Sequence, residues 1–428
     1  MRRKRLSALS ILTNYKQFQI FVLGAFSGMP LFIIYATLSG WMKSADVDIA
    51  VITSFAAARV FYSLKVFWSP LMDSVKLPII HHLGRRKSWM CFLSSIIAVI
   101  LFCYSRLNPL EHIAEIYALT LLLGLASATL DIVIDAFRID VIEQEQLSVA
   151  AANAIFGYRI GGLIAGAGAF YIAADYGWSI VFLTISVLYV GAVIFMLTLK
   201  EPVIESIKFN PLNIQSWMKT TLTPFLEFFR RDHSIIILSA VIFYKLGDAM
   251  LGVVATPFYM ELGFTLKEIA SIIKIFGVIA TICGTYIGGM IMYRYGYIKG
   301  LIFCGIAQSI TNVAFIWLNH QGHDTNALMI AITIENVASG MGDTALIGYL
   351  SYLCNKKFSA TQYALLSSSS GLFSHTIVGF GGTILKMIGW DYYFLMTVFL
   401  AAPGLILLVY LKKKLDDTPA TSSASLKK

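Results

Sequence analysis

The amino-acid sequence predicts an all-α polytopic membrane protein of twelve transmembrane helices in two six-helix halves. Of its 428 residues, 57% are apolar and 13% are charged, a composition that a soluble domain could not shield from water. Twelve stretches have the ~20 largely apolar residues that a bilayer-spanning helix needs. The predicted spans are Gln17–Trp41, Asp48–Met72, Trp89–Ser105, Ala114–Phe137, Val149–Ala174, Ser179–Leu199, Ser234–Phe258, Glu268–Tyr293, Gly300–Leu318, Ala327–Leu353, Gln362–Leu385 and Asp391–Leu411.

Lysines and arginines flank the spans almost entirely on one face of the membrane. Basic residues near span ends are retained on the cytoplasmic side, whereas acidic residues have little influence. Twenty-four basic residues fall on one face, which predicts that both termini are cytoplasmic and that the number of spans is even. Four fall on the other face, namely Lys43, Arg106, Lys267 and Lys386.

Composition also excludes several classes of function. The net charge of +9 follows from the topology, and basic residues dispersed over short loops argue against nucleic-acid binding. The five cysteines have no paired spacing, so neither a disulfide framework nor a zinc site is indicated. No nucleophile system is present, so we expect no enzyme, catalytic residue, metal or cofactor. Arg2–Arg5 precede an apolar run too long for a signal peptide, so we expect the first span to stay uncleaved.

The longest connection between spans divides the chain into two halves. Residues 1–200 form the N-terminal half, 201–233 a cytoplasmic linker, 234–412 the C-terminal half and 413–428 a polar cytoplasmic tail. Aromatic and basic residues mix in the linker, which predicts an interfacial helix on the membrane surface. These residues are Trp217, Met218, Lys219, Phe225, Phe228, Arg230 and Arg231.

About ten charged residues fall inside the predicted spans, beyond the first two residues of each. A charge at the centre of a membrane helix costs ~2.5–3.5 kcal/mol on insertion scales. Together these charges would cost on the order of 25–35 kcal/mol if each faced lipid, so we expect them to face one another or water. In chain order they are Arg59, Lys65, Asp131, Asp135, Arg159, Lys245, Asp248, Lys274, Glu335 and Asp343.

Spacing places some of these charges on shared helix faces. Asp131 and Asp135 are four residues apart, and Lys245 and Asp248 are three apart, so each pair lies on one face. One interpretation is that a carboxylate exchanges a proton, which removes its charge as it passes through a closed state. The other is that ion pairs lock the helices together. For Asp135 a latch to Arg85 or Arg86 is the alternative, and Asp343 is equally explained by a hydrogen bond between helices.

A loop motif occurs at equivalent places in the two halves, which indicates an internal repeat. The two copies resemble the loop motif of the major facilitator superfamily, although the first contains an insertion at 74–83. Asp73, Gly84, Arg85, Arg86 and Lys87 follow the second span, and Gly288, Gly289, Arg294 and Gly296 follow the eighth.

Segments along nearly the whole chain resemble the AmpG-like muropeptide permeases of that superfamily. The match is collinear, and its motifs are specific in combination. The matching segments are Lys65 with Phe67–Asp73, Gly84–Arg86, Asp131–Ala136, Gly157–Arg159, Tyr244–Ala249, Glu335–Asn336 with Gly340–Gly342, and Cys354–Lys356 with Phe358–Gln362. Some family members have two further C-terminal spans, which this sequence does not contain.

The resemblance implies the major facilitator fold and a specific transport activity. That activity is import of anhydromuropeptides (GlcNAc-anhydroMurNAc peptides) across the inner membrane by proton symport, for peptidoglycan recycling. The expected partners are the muropeptide, protons and the lipid bilayer, with the chain as a monomer. The residues concerned are Asp131, Asp135, Asp248 and Glu335 for proton coupling, Lys65, Arg159, Lys245, Lys274 and Asn336 for substrate binding, and Asp73, Gly84, Arg85 and Arg86 for gating.

Two rival functions stay open on the sequence. One is transport of another anionic or acylated solute such as acetyl-coenzyme A, which a substrate panel would distinguish. The other is a non-transporting membrane assembly factor on the same helices, which predicts no solute flux and tolerance of neutralised intramembrane charges.

Overall fold

The computed structural model describes residues 14–75, 77, 81–202 and 214–417. Over these residues the chain is helical and contains no β-strand, which confirms the predicted all-α class. Within the described part of the chain, eight helices are long and apolar enough to cross a membrane by themselves. Arg2–Arg5, much of the linker and the end of the predicted tail lie outside the described residues.

The first six predicted spans are helical. The third is Arg85–Tyr104, the fourth Ile113–Val141 and the sixth Trp178–Thr198. The first consists of Tyr15–Phe32, Ile33–Thr37 and Leu38–Ser44; the second of Ile49–Ser54, Phe55–Arg59, Val60–Leu64, Lys65–Phe67 and Ser69–Ser74; and the fifth of Leu147–Leu163, Ile164–Gly168 and Ala169–Tyr176.

The linker and the second set of spans are helical as well. A helix at Ile214–Phe229 lies in the linker, and its placement on the membrane surface stays a prediction. The seventh to tenth spans are Ser234–Tyr244 with Leu246–Glu261, Leu266–Ser271 with Ile272–Gly277 and Val278–Tyr295, Tyr297–Thr311 with Val313–Gln321, and Thr325–Leu353. The last two are formed by Ser359–Val378, Gly381–Leu400 and Ala402–Asp417, with the division between them inside Gly381–Leu400.

Several spans contain irregular turns at points that the sequence explains. The π-helical segment Ile33–Thr37 follows Pro30, whose ring cannot donate a backbone hydrogen bond. A second π-helical segment, Ile164–Gly168, is rich in glycine and alanine. Irregular backbone at membrane depth is tolerated where protein or water surrounds it, so these segments indicate positions away from lipid.

Glycines with positive φ reverse the chain between consecutive spans. Gly177, Gly296 and Gly389 have φ of 82°, 88° and 76°, a region that L-residues with a Cβ rarely adopt. Gly389 interrupts the helix Gly381–Leu400. The eleventh span therefore runs on to residue 388, slightly beyond the predicted Leu385, and the twelfth begins at Trp390, next to the predicted Asp391.

The chain divides into two compact units that differ slightly from the sequence halves. Unit 1 comprises Met1–Gln144, Asn153–Pro224 and Cys354–Ser368. Unit 2 comprises Glu145–Ala152, Phe225–Leu353 and Ser369–Lys428. The start of the fifth span thus belongs to unit 2, and the start of the eleventh belongs to unit 1.

Glycine permits close backbone packing within each unit. In unit 1, a Cβ on Gly28 would lie 2.6 Å from the carbonyl oxygen of Tyr158, which joins the first and fifth spans. In unit 2, a Cβ on Gly288 would lie 2.7 Å from the carbonyl oxygen of Met341, which joins the eighth and tenth spans. Real Cβ atoms do not approach so closely, so these contacts require glycine.

Candidate functional site

In unit 1, Lys65 forms an ion pair with Asp131. Lys65 begins the short 3₁₀ segment Lys65–Phe67 of the second span, and Asp131 lies in the uninterrupted helix of the fourth. The hydroxyl of Ser27 donates a 2.8 Å hydrogen bond to the other oxygen of Asp131. Helices one, two and four therefore meet at this carboxylate, whose side chain remains 20% exposed.

Asp135 lies one turn beyond Asp131 and pairs with Arg138 on its own helix. The Arg138 Nη1 to Asp135 Oδ1 distance is 2.7 Å. The guanidinium of Arg138 also lies over the ring of Tyr363, 5.2 Å from its centroid. The alternative of a latch from Asp135 to Arg85 or Arg86 is not formed in this structure, because both arginines pair with Asp140 instead.

A fully buried charge network forms where the second, third, fourth and eleventh spans meet in unit 1. We call it the Asp73 cluster. Arg86 contacts Asp73 at 2.6 Å and Asp140 at 3.0 Å, and all three side chains are 0% exposed. Arg85 completes the charge balance at 3.5 Å from Asp140. Its members are Asp73, Arg85, Arg86, Asp140, Ser359 and Thr361.

Asp73 caps the start of the eleventh span. Its two oxygens accept hydrogen bonds from the backbone amides of Ala360, at 3.3 Å, and Thr361, at 2.9 Å. A carboxylate at a helix N-terminus satisfies free N–H groups and faces the positive end of the helix dipole. The second and eleventh spans are thereby joined within unit 1.

Glu201 likewise caps the start of the third span. Its carboxylate accepts hydrogen bonds from the backbone amides of Arg86, at 2.8 Å, and Lys87, at 3.0 Å. Gly84, with φ of 113°, is the residue that precedes this helix, and a Cβ there would collide with Glu201. The glycine of the loop motif thus admits the carboxylate that holds Arg86 in place.

Two further cations of unit 1 have no ion-pair partner among the described residues. Arg159 is partly buried in the fifth span, next to Tyr158. Arg59 is exposed in the second span, and its guanidinium stacks over the ring of Tyr35, 4.0 Å from the centroid. Within its described spans, unit 1 therefore presents more cationic than anionic groups.

In unit 2, Lys245 bridges two carboxylates. Its Nζ lies 2.5 Å from Asp248 and 2.7 Å from Asp343. Lys245 occupies a break in the seventh span, between Ser234–Tyr244 and Leu246–Glu261. Asp343 belongs to the tenth span, and Ser339 on that span lies 3.5 Å from Asp248. One cation facing two carboxylates leaves one negative charge, which a proton can neutralise.

Three further predicted residues belong to unit 2. The amide of Asn336 accepts from Thr281 at 2.9 Å and donates to the carbonyl of Ile332 at 2.9 Å, so it ties the eighth and tenth spans together. Glu335 is partly buried and interacts with Tyr259. Lys274 lies in the π-helical segment Ile272–Gly277, and its side chain lies outside what the structure describes.

The structure adds residues that the sequence analysis did not assign. Asp343 is eighteen residues from the start of the helix Thr325–Leu353, and Asp131 is eighteen residues from the start of Ile113–Val141. Each helix is the fourth of its half, so comparison of the two halves would have indicated Asp343. Asp140, Ser359, Thr361 and Glu201 gave no such signal, since each resembles an ordinary residue at a helix end.

Comparison with known proteins gives consistent matches over the whole length. A model of the Major Facilitator Superfamily matches residues 20–372 and 237–428. A Rickettsia conorii protein named "Putative transporter AmpG 4" is 53% identical over 95% of this chain and 99% of its own. The Escherichia coli K12 protein named "Anhydromuropeptide permease" is 32% identical over 93% of this chain and 80% of its own.

Solved structures share the fold at low sequence identity. The proton:xylose symporter XylE, solved with 6-bromo-6-deoxy-D-glucose, has a TM-score of 0.67 at 12% identity, over 93% of this chain and 95% of that one. A bacterial homologue of the iron transporter ferroportin, in an outward-facing state, has a TM-score of 0.65 at 12% identity, over 94% and 100%. These similarities concern the fold, and confirm the expected arrangement of twelve helices.

Proposed function

Because the chain belongs to the AmpG-like transporters of the major facilitator superfamily, we propose that it imports anhydromuropeptides by proton symport. The substrate would move from periplasm to cytoplasm, for peptidoglycan recycling. The chain would act as a monomer in the inner membrane with both termini cytoplasmic. The name of the Escherichia coli relative supports this substrate class.

The proposed proton coupling is supported chiefly by the triad of Lys245, Asp248 and Asp343 in unit 2. Lys245 neutralises only one of Asp248 and Asp343 at a time, although both lie within 2.7 Å of it. The triad therefore has one more negative than positive charge, which a transported proton would cancel. A protonated triad is neutral, which lowers the cost of moving it through an occluded state. Asp131, Asp135 and Glu335 remain proposed participants in the proton path.

The excess of cations in unit 1 supports binding of an anionic substrate. Muropeptides carry carboxylates, and arginine pairs with carboxylates through two parallel hydrogen bonds. Arg159, which has no ion-pair partner in the described part of unit 1, is the proposed site for one of these acids. Lys65 becomes available if Asp131 is protonated, because their ion pair is then lost.

The Asp73 cluster is the proposed gate. Buried ion pairs of Asp73, Arg85 and Arg86 join three helices of the N-terminal half. Hydrogen bonds of Asp73 and Arg86 add the start of the eleventh span, and Gly84 admits the glutamate that positions Arg86. Such a network has two discrete states, formed and broken, as a gate needs.

The test is uptake of labelled anhydromuropeptide into proteoliposomes under an imposed proton gradient. Wild type is compared with Asp131→Asn, Asp248→Asn and the matched control Asp46→Asn. Asp46 is exposed in a loop at φ of 59°, a conformation that asparagine adopts readily. We expect gradient-driven uptake in wild type and in the control, and loss of accumulation in the other two variants.

A folded wild-type protein that moves no muropeptide would contradict the substrate assignment. A parallel panel with acetyl-coenzyme A would then test the rival solute class. Uptake of muropeptide that ignores the gradient, in wild type and variants alike, would contradict the symport.

A further inference from the structure

We infer that Arg59 and Tyr35 form a binding subsite for a carboxylate of the transported solute, at the middle of the membrane. The inference rests on the proposed function and adds a residue to which that function assigns no role. Its starting point is the cation–π pair in unit 1, with the Arg59 guanidinium 4.0 Å from the Tyr35 ring centroid.

Both residues lie at the same depth in the bilayer. Tyr35 is nine residues before Ser44, where the first span ends, and Arg59 is ten residues after Ile49, where the second begins. At ~1.5 Å per residue each lies about 14–15 Å from the same membrane face. The hydrocarbon layer is ~30 Å thick, so the pair is near its centre.

Arg59 is exposed at this depth and has no carboxylate within ion-pair distance among the described residues. Tyr35 is 40% exposed. A stacked aromatic ring offsets only part of the cost of a guanidinium in hydrocarbon. The exposed faces of this pair must therefore meet water or an anion rather than lipid tails.

The backbone around the pair supports a water-filled surface. Tyr35 is in the π-helical segment Ile33–Thr37, and Arg59 ends the 3₁₀ segment Phe55–Arg59. Irregular turns at membrane depth occur where a helix lines a cavity or is covered by protein, and π-helical turns recur at functional sites. Ala58, beside Arg59, packs tightly against Gly124, which fixes this turn on the fourth span.

Stacking leaves the hydrogen-bonding edge of Arg59 available. The guanidinium presents five N–H donors in its plane, and none of them donates to a side chain or carbonyl of the described residues. The edge matches a carboxylate in a two-hydrogen-bond arrangement. Lys65 lies one to two turns further along the second span, where it pairs with Asp131 of the fourth, so an acid released from Arg59 would next meet that ion pair.

The experiment measures equilibrium binding to the purified full-length protein. Two probes are used: an anhydromuropeptide with free peptide carboxylates, and the same molecule with those carboxylates converted to primary amides. We expect wild type to bind the acid more tightly, and Arg59→Gln to weaken binding of the acid by roughly 10- to 100-fold while leaving binding of the amide unchanged. Tyr35→Leu should reduce the preference for the acid by a smaller factor.

Arg106→Gln is the matched control. Arg106 is also exposed and stacks over an aromatic ring, that of Phe102 at 5.3 Å, but it lies in the connection after the third span. This variant should keep the wild-type preference for the acid.

An unchanged ratio of acid to amide affinity in folded Arg59→Gln would overturn the inference. If that variant cannot be purified, Arg59→Lys decides, since it keeps the charge but not the planar fork: a loss of acid affinity above threefold supports the subsite, and wild-type affinity overturns it. Wild-type protein that neither binds nor transports the acid would contradict the proposed function itself, and the subsite with it.

Discussion

Asp73 accepts two hydrogen bonds from Thr361, one from the backbone amide at 2.9 Å and one from the hydroxyl at 2.7 Å. The two residues are 288 positions apart in the chain. Thr361 contributes no charge, so the charged partner of Asp73 in this contact is Arg86. The contact between the second and eleventh spans thus depends on one carboxylate that serves both an ion pair and a helix cap.

Asp73→Asn should therefore destabilise the protein more than any change to Thr361. It leaves the buried Arg86 with reduced compensation, and breaking a buried ion pair costs about 3–5 kcal/mol. Thr361→Val removes one neutral hydrogen bond and should lower the free energy of unfolding by about 1 kcal/mol. Thermal unfolding of the purified variants provides the measurement, with Thr361→Ser as a control that keeps the hydroxyl. Equal effects of Asp73→Asn and Thr361→Val would argue against a shared ion pair and cap.

Neutralising the central lysine of the unit 2 triad and neutralising one of its carboxylates should have unequal effects. Lys245→Met leaves Asp248 and Asp343 unpaired beside each other and should cost about 3–5 kcal/mol. Asp343→Asn leaves one balanced ion pair and should cost about 1–3 kcal/mol. Combining the two substitutions should recover part of the stability lost in Lys245→Met. A double variant less stable than either single variant would show that the charges do not interact as the distances indicate.

Asp343→Asn should also separate proton coupling from solute movement. Without the second carboxylate, the triad is neutral at every stage of the cycle, so a gradient has no proton to drive through it. We expect loss of accumulation under a proton gradient but continued exchange of labelled for unlabelled solute across proteoliposomes. Asp46→Asn should retain both activities. Loss of exchange together with accumulation would instead assign Asp343 to substrate binding.

Small residues between helices should tolerate no added methyl group. Gly28→Ala places a Cβ against the backbone of Tyr158, and overpacking of this kind costs about 1–3 kcal/mol. Gly191 lies inside the sixth span, and an added Cβ there would have no heavy atom within 4 Å. Gly191→Ala should be neutral or stabilising by up to about 1 kcal/mol. Comparison of their thermal unfolding tests the close packing of the first and fifth spans.

Much of this architecture is predictable from the sequence because each span carries its own apolar signal. The charged residues within the spans are also predictable, because charges are rare in apolar segments of this length. The sequence does not show which cation pairs with which carboxylate. Asp131 and Asp135 share a face and invite one common role, yet Lys65 pairs with the first and Arg138 with the second.

Contacts between residues far apart in the chain explain what the sequence could not predict. In the sequence, Asp140 is an ordinary acidic residue near the end of a helix. Only the fold places Arg86 and Ser359 in contact with it. Glu201 follows the sixth span, and nothing nearby in sequence indicates that it caps the third. Asn336 stands next to a membrane carboxylate and suggests ligand binding, but its amide is engaged by Thr281 and Ile332.

The fourth span is one continuous helix of 29 residues, Ile113–Val141. Asp131 and Asp140 lie on it nine residues apart, or about 13–14 Å at ~1.5 Å per residue. Spans one, two and five have irregular turns that can absorb bending, and this one has none. A tilt of about 5° around Asp140 would therefore displace Asp131 by about 1 Å, given that length. If the Lys65–Asp131 ion pair opens during transport, we expect this continuous helix to couple that change to the Asp73 cluster.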